Sequence, residues 1–170
     1  VLIFTEFAHT ARYLKRELSS ASIEGLEQID GSSVTNRQTV IKRFSPYYNE
    51  SSVSQLQDEG EKEIQVLIST DILSEGLNLQ DASLLINYDI HWNPVRLMQR
   101  IGRVDRRMSP EAEKRLIADN PEIASSRGKV SFWNFLPPDE LNSLLTLYSK
   151  VTQKTLLISK ILGIEGKKLL

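Results

Sequence analysis

The sequence contains no cysteine and only two histidines in 170 residues. Without cysteine, a chain cannot form disulfides and cannot build zinc or thiol chemistry on that residue. The two histidines, His9 and His91, stand far apart, so we predict no metal site. The lack of cysteine is typical of proteins from reducing compartments, and we expect a cytoplasmic protein.

Long apolar runs and a strong charge of one sign are also missing. No stretch approaches the ~20 apolar residues of a membrane-spanning helix, and no basic leader precedes an apolar run. The formal net charge of −1 excludes a generally basic nucleic-acid coat but leaves room for a local basic stripe. The sequence opens on the apolar run Val1–Phe4 without methionine, which predicts a further domain upstream.

The residues that are present describe a globular domain with one core, since 40% are hydrophobic and 25% are charged. Short, continuous apolar runs alternate with helical patterns, which predicts an α/β fold with a mainly parallel sheet covered by helices on both faces. The predicted strands are Val1–Thr5, Leu26–Ile29, Val66–Ser69, Leu84–Tyr88 and Val130–Phe135. The predicted helices are Ala8–Ser20, Thr35–Phe44, one from Pro94 and one from about Pro138.

Polar segments divide this pattern. Ser45–Glu63 is serine-rich and acidic, and we interpret it as a surface loop or insertion that the fold does not need. Ser109–Lys129 is predicted to hold a short exposed helix. The main domain is expected over residues 1–137, and a truncated helical extension over 138–170. Trp133 is expected in the core, and Trp92 is expected either in the core, which we favour, or at a surface contact.

The densest motif is QRIGRVDR, residues 99–106. Arg103 and Arg106 are three residues apart, so on one helical turn their side chains point in similar directions. Gly102 lets a ligand or another backbone approach closely. Two convergent guanidiniums suit a polyphosphate, because they remain charged and bond its oxygens in pairs. Taken alone, this stretch is equally compatible with a solvated basic helix face.

A second motif, STDILSEGLNLQ, spans residues 69–80 directly after an apolar strand. Ligands of parallel α/β sheets bind just beyond the carboxyl ends of the strands. Ser69 and Thr70 can offer hydroxyl and N–H groups to phosphates, Asp71 can accept from a ribose hydroxyl, and Gly76 permits close approach. Each residue has an ordinary structural explanation too, because these types also cap helices and form turns.

The order of the motifs along the chain is more specific than any single motif. IFTEF, DGSSVTNRQTVIKRF, STDILSEGLNLQ, INYDIHWNPVRL and QRIGRVDR follow one another over residues 1–107. This series resembles the C-terminal, second RecA-like lobe of superfamily 2 helicases, especially the Swi/Snf-like group and its bacterial RNA-polymerase-associated ATPases. The resemblance implies a RecA-like three-layer sandwich. Arg107-Met108-Ser109-Pro110 follows where remodelling ATPases have an Ile-Gly-Gln-like tail, which speaks against nucleosome remodelling.

The resemblance also implies roles for individual residues. It makes Arg103 and Arg106 arginine fingers and places Gln99 near the γ-phosphate. The resemblance also implies that ATP is bound by Asp71, Glu75, Gly76 and Gly102. It implies that a nucleic-acid backbone is contacted by Thr5, Gly31, Ser69 and Thr70.

The phosphate-binding motif GxxxxGK[ST] is absent from the sequence. ATP and Mg²⁺ are therefore expected to be held mainly by an N-terminal RecA-like lobe of the same polypeptide, and residues 1–170 alone should be inactive. The sequence predicts the C-terminal motor lobe of a helicase or translocase acting on duplex DNA, with RNA as an alternative substrate. Two other interpretations remain: an inactive RecA-like binding or scaffolding module, and an unrelated doubly wound domain.

Overall fold

The computed structural model describes residues 1–31, 36–71, 78–89, 94–105, 109–125, 127, 130–135, 153, 157 and 166–169. Six strands form one sheet in the order β2-β3-β1-β4-β5-β6, and all neighbouring strands are parallel. This confirms the α/β class and the parallel sheet. The strands are β1 (Leu2–Thr5), β2 (Leu26–Ile29), β3 (Val66–Thr70), β4 (Leu84–Asn87), β5 (Ser131–Phe135) and β6 (Gly166–Leu169).

The described helices lie on both faces of this sheet, as the alternation of apolar runs predicts. Successive side chains of a strand point to opposite faces. Leu2 and Phe4 of the central strand β1 therefore pack into one core cluster, and Ile3 packs into another. The helices are α1 (Ala8–Ser20), α2 (Arg37–Phe44), α3 (Val53–Asp58), α4 (Pro94–Val104) and α5 (Pro110–Asp119), followed by a 3₁₀ turn over Pro121–Ile123.

Each core cluster is completed by helices that present an apolar stripe. α1 contributes Ala11 and Leu14 to the cluster around Ile3. On the opposite face, α2 and α4 supply apolar side chains to the cluster around Leu2 and Phe4. Three layers result, helix on sheet on helix. None of the described helices is long and apolar enough to cross a membrane.

The segment 45–63 departs from the sequence prediction. It contains α3, whose Leu56 is 1% exposed, and the preceding turn buries Tyr47. The Asp81 carboxylate accepts hydrogen bonds from the backbone N–H groups of Tyr47 and Tyr48, at 2.8 and 3.1 Å. The segment is therefore not a surface loop throughout, because it contains a helix and buries Tyr47 and Leu56.

The other polar segment is closer to expectation. α5 lies within Ser109–Lys129, its first turn is capped by the Ser109 side chain, and it buries Ala112 and Leu116 while its other side is exposed. Arg127 bonds Glu113 of this helix at 2.9 Å.

Two predictions near the end of the chain need correction. Within the expected helical extension, residues 166–169 are a strand, β6, that pairs with β5. Trp133 is only partly buried, because it is the neighbouring Phe132 that packs into the core, at 2% exposure. The helix predicted from Pro138 lies outside the described residues except at positions 153 and 157, and Trp92 lies outside them as well.

Candidate functional site

The candidate site lies along the carboxyl ends of β1, β2, β3 and β4. In a parallel sheet these ends meet at one edge, which is where α/β proteins bind ligands. Thr5 at the end of β1 pairs with Thr70 at the end of β3, and Ser69 pairs with Ile29 of β2. The exposed Gly31 follows β2 by two residues. The structure therefore brings all four residues expected to contact nucleic acid to one edge.

The hydroxyl groups at this edge are not equivalent. Thr5 and Ser69 are fully buried. The Thr5 hydroxyl donates to Asp89 at 2.5 Å, and the Ser69 hydroxyl donates to the Thr70 carbonyl at 2.7 Å. The Thr70 hydroxyl is also buried, and no hydrogen bond joins it to a residue that the structure describes. A backbone contact through the Thr5 or Ser69 hydroxyl would require breaking an existing bond, and one through the Thr70 hydroxyl would require exposing a buried group.

Helix α4 carries the QRIGRVDR motif and has two distinct faces. Leu97, Arg100, Ile101 and Val104 recur at helical spacing and are buried. Gln99 is exposed on the opposite side, and Gly102 and Arg103 are partly exposed. Arg96 is exposed too, but it lies one turn before Arg100 and therefore close to the same face. Gln99 and Arg103 are four residues apart and therefore neighbours on this outer face. The predicted partner Arg106 lies outside the described residues, as do Glu75 and Gly76.

Gly102 is not required by the packing of α4. A β-carbon placed on it would meet no atom within 4 Å outside its own helix, among the residues that the structure describes. Glycine inside a helix is less favourable than alanine by about 1 kcal/mol. Gly102 weakens its own helix, and the space beside it is open. Both observations are consistent with the predicted close approach of a ligand or another backbone.

Arg100 is the residue whose importance the sequence pattern did not reveal. Its side chain is 0% exposed although it carries a permanent charge. The Nε atom donates to Asp71 Oδ1 at 2.7 Å, and Nη1 donates to Asn87 Oδ1 and to the Asp89 carbonyl, both at 3.2 Å. The guanidinium also lies 5.3 Å from the Phe4 ring centroid, a distance that favours a cation–π contact. Arg100 thus fastens α4 to three strands.

These contacts change the expected environment of Asp71. Its Oδ1 is bonded to Arg100, and its Oδ2 lies 3.4 Å from Arg96, which is one helical turn earlier on α4. The carboxylate is 13% exposed. Asp71 therefore faces α4 and retains only a small exposed surface for a ribose hydroxyl. An aspartate directly after a strand, together with arginines at i and i+4 on a later helix, is the sequence signal that could have identified this cluster.

The outer side of α4 carries positive charge at the partly exposed Arg103, and cationic side chains of this kind can bond phosphate oxygens. The exposed Arg96 lies near Asp71. No group of three or more metal-ligating side chains that could hold a metal ion occurs among the residues that the structure describes. On this edge the chain can supply positive charge and hydrogen-bond donors.

Comparisons with known proteins agree with this architecture. Residues 1–108 match the family described as helicase conserved C-terminal domain. The "Uncharacterized ATP-dependent helicase YqhH" of Bacillus subtilis is 39% identical over 106 residues, which cover 62% of this chain and 16% of that protein. The "RNA polymerase-associated protein RapA" of Vibrio campbellii is 36% identical over 109 residues, covering 62% of this chain and 10% of RapA.

A solved structure supports the fold independently. The crystal structure of a DEAD box protein from Methanococcus jannaschii superposes with a TM-score of 0.53 at 22% identity, covering 99% of this chain and 34% of that one. The chain spans less than a fifth of the length of YqhH and of RapA. The motif order, the parallel sheet with α4 along its carboxyl edge, and the match over residues 1–108 agree, and the chain belongs to the helicase conserved C-terminal domain family.

Proposed function

We propose that this chain is the C-terminal motor lobe of a nucleic-acid-dependent ATPase of the helicase or translocase type. Its role is to bring arginine side chains to an ATP molecule that an N-terminal lobe of the same polypeptide holds. The observation that carries the proposal is the position of α4. A buried arginine fixes the helix to the carboxyl edge of the sheet, and Gln99 and Arg103 share its outer face.

The chemistry of phosphoryl transfer explains why such a face is useful. In the transition state, negative charge spreads over the oxygens of the transferred phosphoryl group. Arg103, and Arg106 three residues later, would neutralise this charge, and Gln99 would orient the attacking water. Mg²⁺ would supply further positive charge to the phosphates; its ligands and the phosphate-binding loop would come from the N-terminal lobe.

The nucleic acid would lie along the same edge of the sheet. Gly31 is exposed there, and the Thr70 hydroxyl, which is buried at this edge, makes no hydrogen bond to a described residue. Contacts of this kind bind the phosphate backbone and carry no sequence specificity. Duplex DNA is the proposed substrate because the motif series resembles Swi/Snf-like motors. Steady-state ATP turnover of the full-length protein with duplex DNA, single-stranded DNA and RNA tests this; stimulation by RNA alone would reject it.

The decisive experiment replaces Arg103 and Arg106 separately by alanine in the full-length protein. Because a finger bonds most strongly to charge that develops in the transition state, kcat should fall by up to about 10³-fold while the KM for ATP changes little. Lysine should restore little, since an ammonium cannot reproduce the planar guanidinium.

A matched control is Arg115→Ala, which removes an exposed arginine from α5. This variant should retain the turnover of the unmodified protein. If Arg103→Ala kept full turnover, or if Arg115→Ala lost as much, the assignment of arginine fingers would be rejected.

A further inference from the structure

The Arg100 side chain is completely buried, although it carries a charge. Its guanidinium bonds side chains or carbonyls from two strand ends and lies over the ring of a residue from a third strand. A charged group loses its hydration when it is buried, and the loss is offset only when its donors are well placed. The bonds of Arg100 therefore fix the direction of its guanidinium and, with it, the orientation of α4.

The partners of Arg100 are themselves parts of the candidate site. Asp71 directly follows β3, and the Asp89 carboxylate accepts from the Thr5 hydroxyl and from the Glu6 N–H group. Arg100 Nη2 is buried 3.8 Å from Asp89 Oδ1, too far for a hydrogen bond, and bonds no described residue, so the orientation of the guanidinium is set by its Nε and Nη1 atoms. One side chain thus joins the ends of β1, β3 and β4 to the helix that carries Arg103.

We propose that Arg100 is a positioning residue: its planar guanidinium sets the orientation of α4, and thereby aims Gln99 and Arg103 at the nucleotide. This inference rests on the proposed function of the preceding section. Rotating α4 about its axis would displace the outer face, and Arg100 resists rotation because its Nε and Nη1 atoms bond partners on different strands. A displacement of about 1 Å in a reacting group can cost about 10²-fold in rate.

The test is Arg100→Lys in the full-length protein. Lysine keeps the positive charge, so neither Asp71 nor Asp89 is left without a cation, but a single ammonium cannot hold the directions of a planar fork. We expect kcat for ATP to fall at least tenfold at a temperature well below the unfolding transition, with the KM for ATP within threefold of the unmodified value. A role in stability alone would lower the melting temperature and leave kcat unchanged.

Arg127→Lys is the matched control. Arg127 is also largely buried, at 11% exposure, bonds Glu113 at 2.9 Å, and donates to the carbonyls of Gln80 and Asp81. None of these partners belongs to the carboxyl edge of the sheet. Its replacement should lower the melting temperature and leave kcat within twofold. Equal losses of kcat in the two lysine variants, or no loss in Arg100→Lys, would overturn the inference.

Two additional variants complete the design. Asn87→Ala removes one acceptor of Arg100 Nη1 and keeps the ion pair with Asp71, so it tests the same geometry if Arg100→Lys does not fold. It should lower kcat about threefold in the same assay, and an unchanged kcat would count against the inference. Arg103→Ala separates the two proposals: if it leaves turnover intact, the proposed function fails, whereas its loss beside a fully active Arg100→Lys rejects the positioning role alone.

Discussion

Asp81 offers a quantitative test of how the segment after α2 is held. Its carboxylate accepts from the N–H groups of Tyr47 and Tyr48, and its own N–H group donates to the Ser45 hydroxyl at 3.3 Å. Burial raises the pKa of Asp81 from 3.8 to about 6, more than its hydrogen bonds and the nearby Arg127 lower it. The folded chain therefore binds this proton more tightly than the unfolded chain does.

The direction of the pH dependence follows from this difference. The stability that the Asp81 proton contributes is complete below pH 3.8, declines above it, and is lost as the pH rises through about 6. Each unit of pKa difference corresponds to about 1.4 kcal/mol. Between pH 4.5 and pH 6.5 the free energy of unfolding should lose about 2 kcal/mol through this one group.

Asp81→Asn removes the titration and keeps one acceptor oxygen. Urea unfolding of residues 1–170, followed by tryptophan fluorescence at both pH values, gives the difference in unfolding free energy between the unmodified chain and the variant. This difference should shift by about 2 kcal/mol in favour of the variant as the pH rises. Asp58→Asn, at an exposed position on α3, controls for the loss of a carboxylate. A difference that stays constant, or shifts the other way, would refute the reasoning, because the N–H donors and Arg127 would then outweigh burial.

Three other predictions concern packing and ligand access. Gly102→Ala should raise the unfolding free energy by up to about 1 kcal/mol, since the added β-carbon meets nothing and alanine favours helix. In the full-length protein the same change should lower ATP turnover several-fold, and unchanged turnover would mean that nothing approaches this position. Leu56→Ala should lower the free energy of unfolding, measured in urea, by about 2–5 kcal/mol, because the side chain is 1% exposed. A loss below about 1 kcal/mol would mean that α3 does not pack into the core. Residues 1–170 alone should show no micromolar dissociation constant for ATP in calorimetry, since the proposed function assigns most phosphate ligands to another lobe. Measuring such a constant would contradict the two-lobe proposal.

The sheet could be predicted because its signal is local. Strands that are buried on both faces have short, continuous apolar sequences. Leu2–Thr5 and Val66–Thr70 can therefore be recognised as strands without knowledge of the strands they pair with. The edge position of Thr5, Thr70 and Asp71 then follows from parallel pairing alone. Residues that come directly after such strands need no further information to be placed near one another.

The contacts of Arg100 and of the segment 45–63 could not be predicted in this way. An arginine in a basic stretch looks solvated, and only the fold shows that two strand ends supply acceptors for its guanidinium. Similarly, the tyrosines after Phe44 lie in a polar sequence, and their backbone N–H groups bond an aspartate more than 30 residues away. Polar groups bonded across long separations leave no periodic trace in the sequence.

The position of β1 in the middle of the sheet has a consequence for how the chain acquires its fold. Leu2 pairs with Leu67 and with Leu85, residues that are synthesised 65 and 83 positions later. Translation at about 5–20 residues per second leaves β1 without its first neighbour for roughly 3–13 s. An apolar strand, every residue of which is buried in the finished domain, must wait unpaired during that time. Pairings this distant also place the chain among slowly folding topologies, so newly made protein is expected to depend on chaperones that shield β1 until β3 emerges.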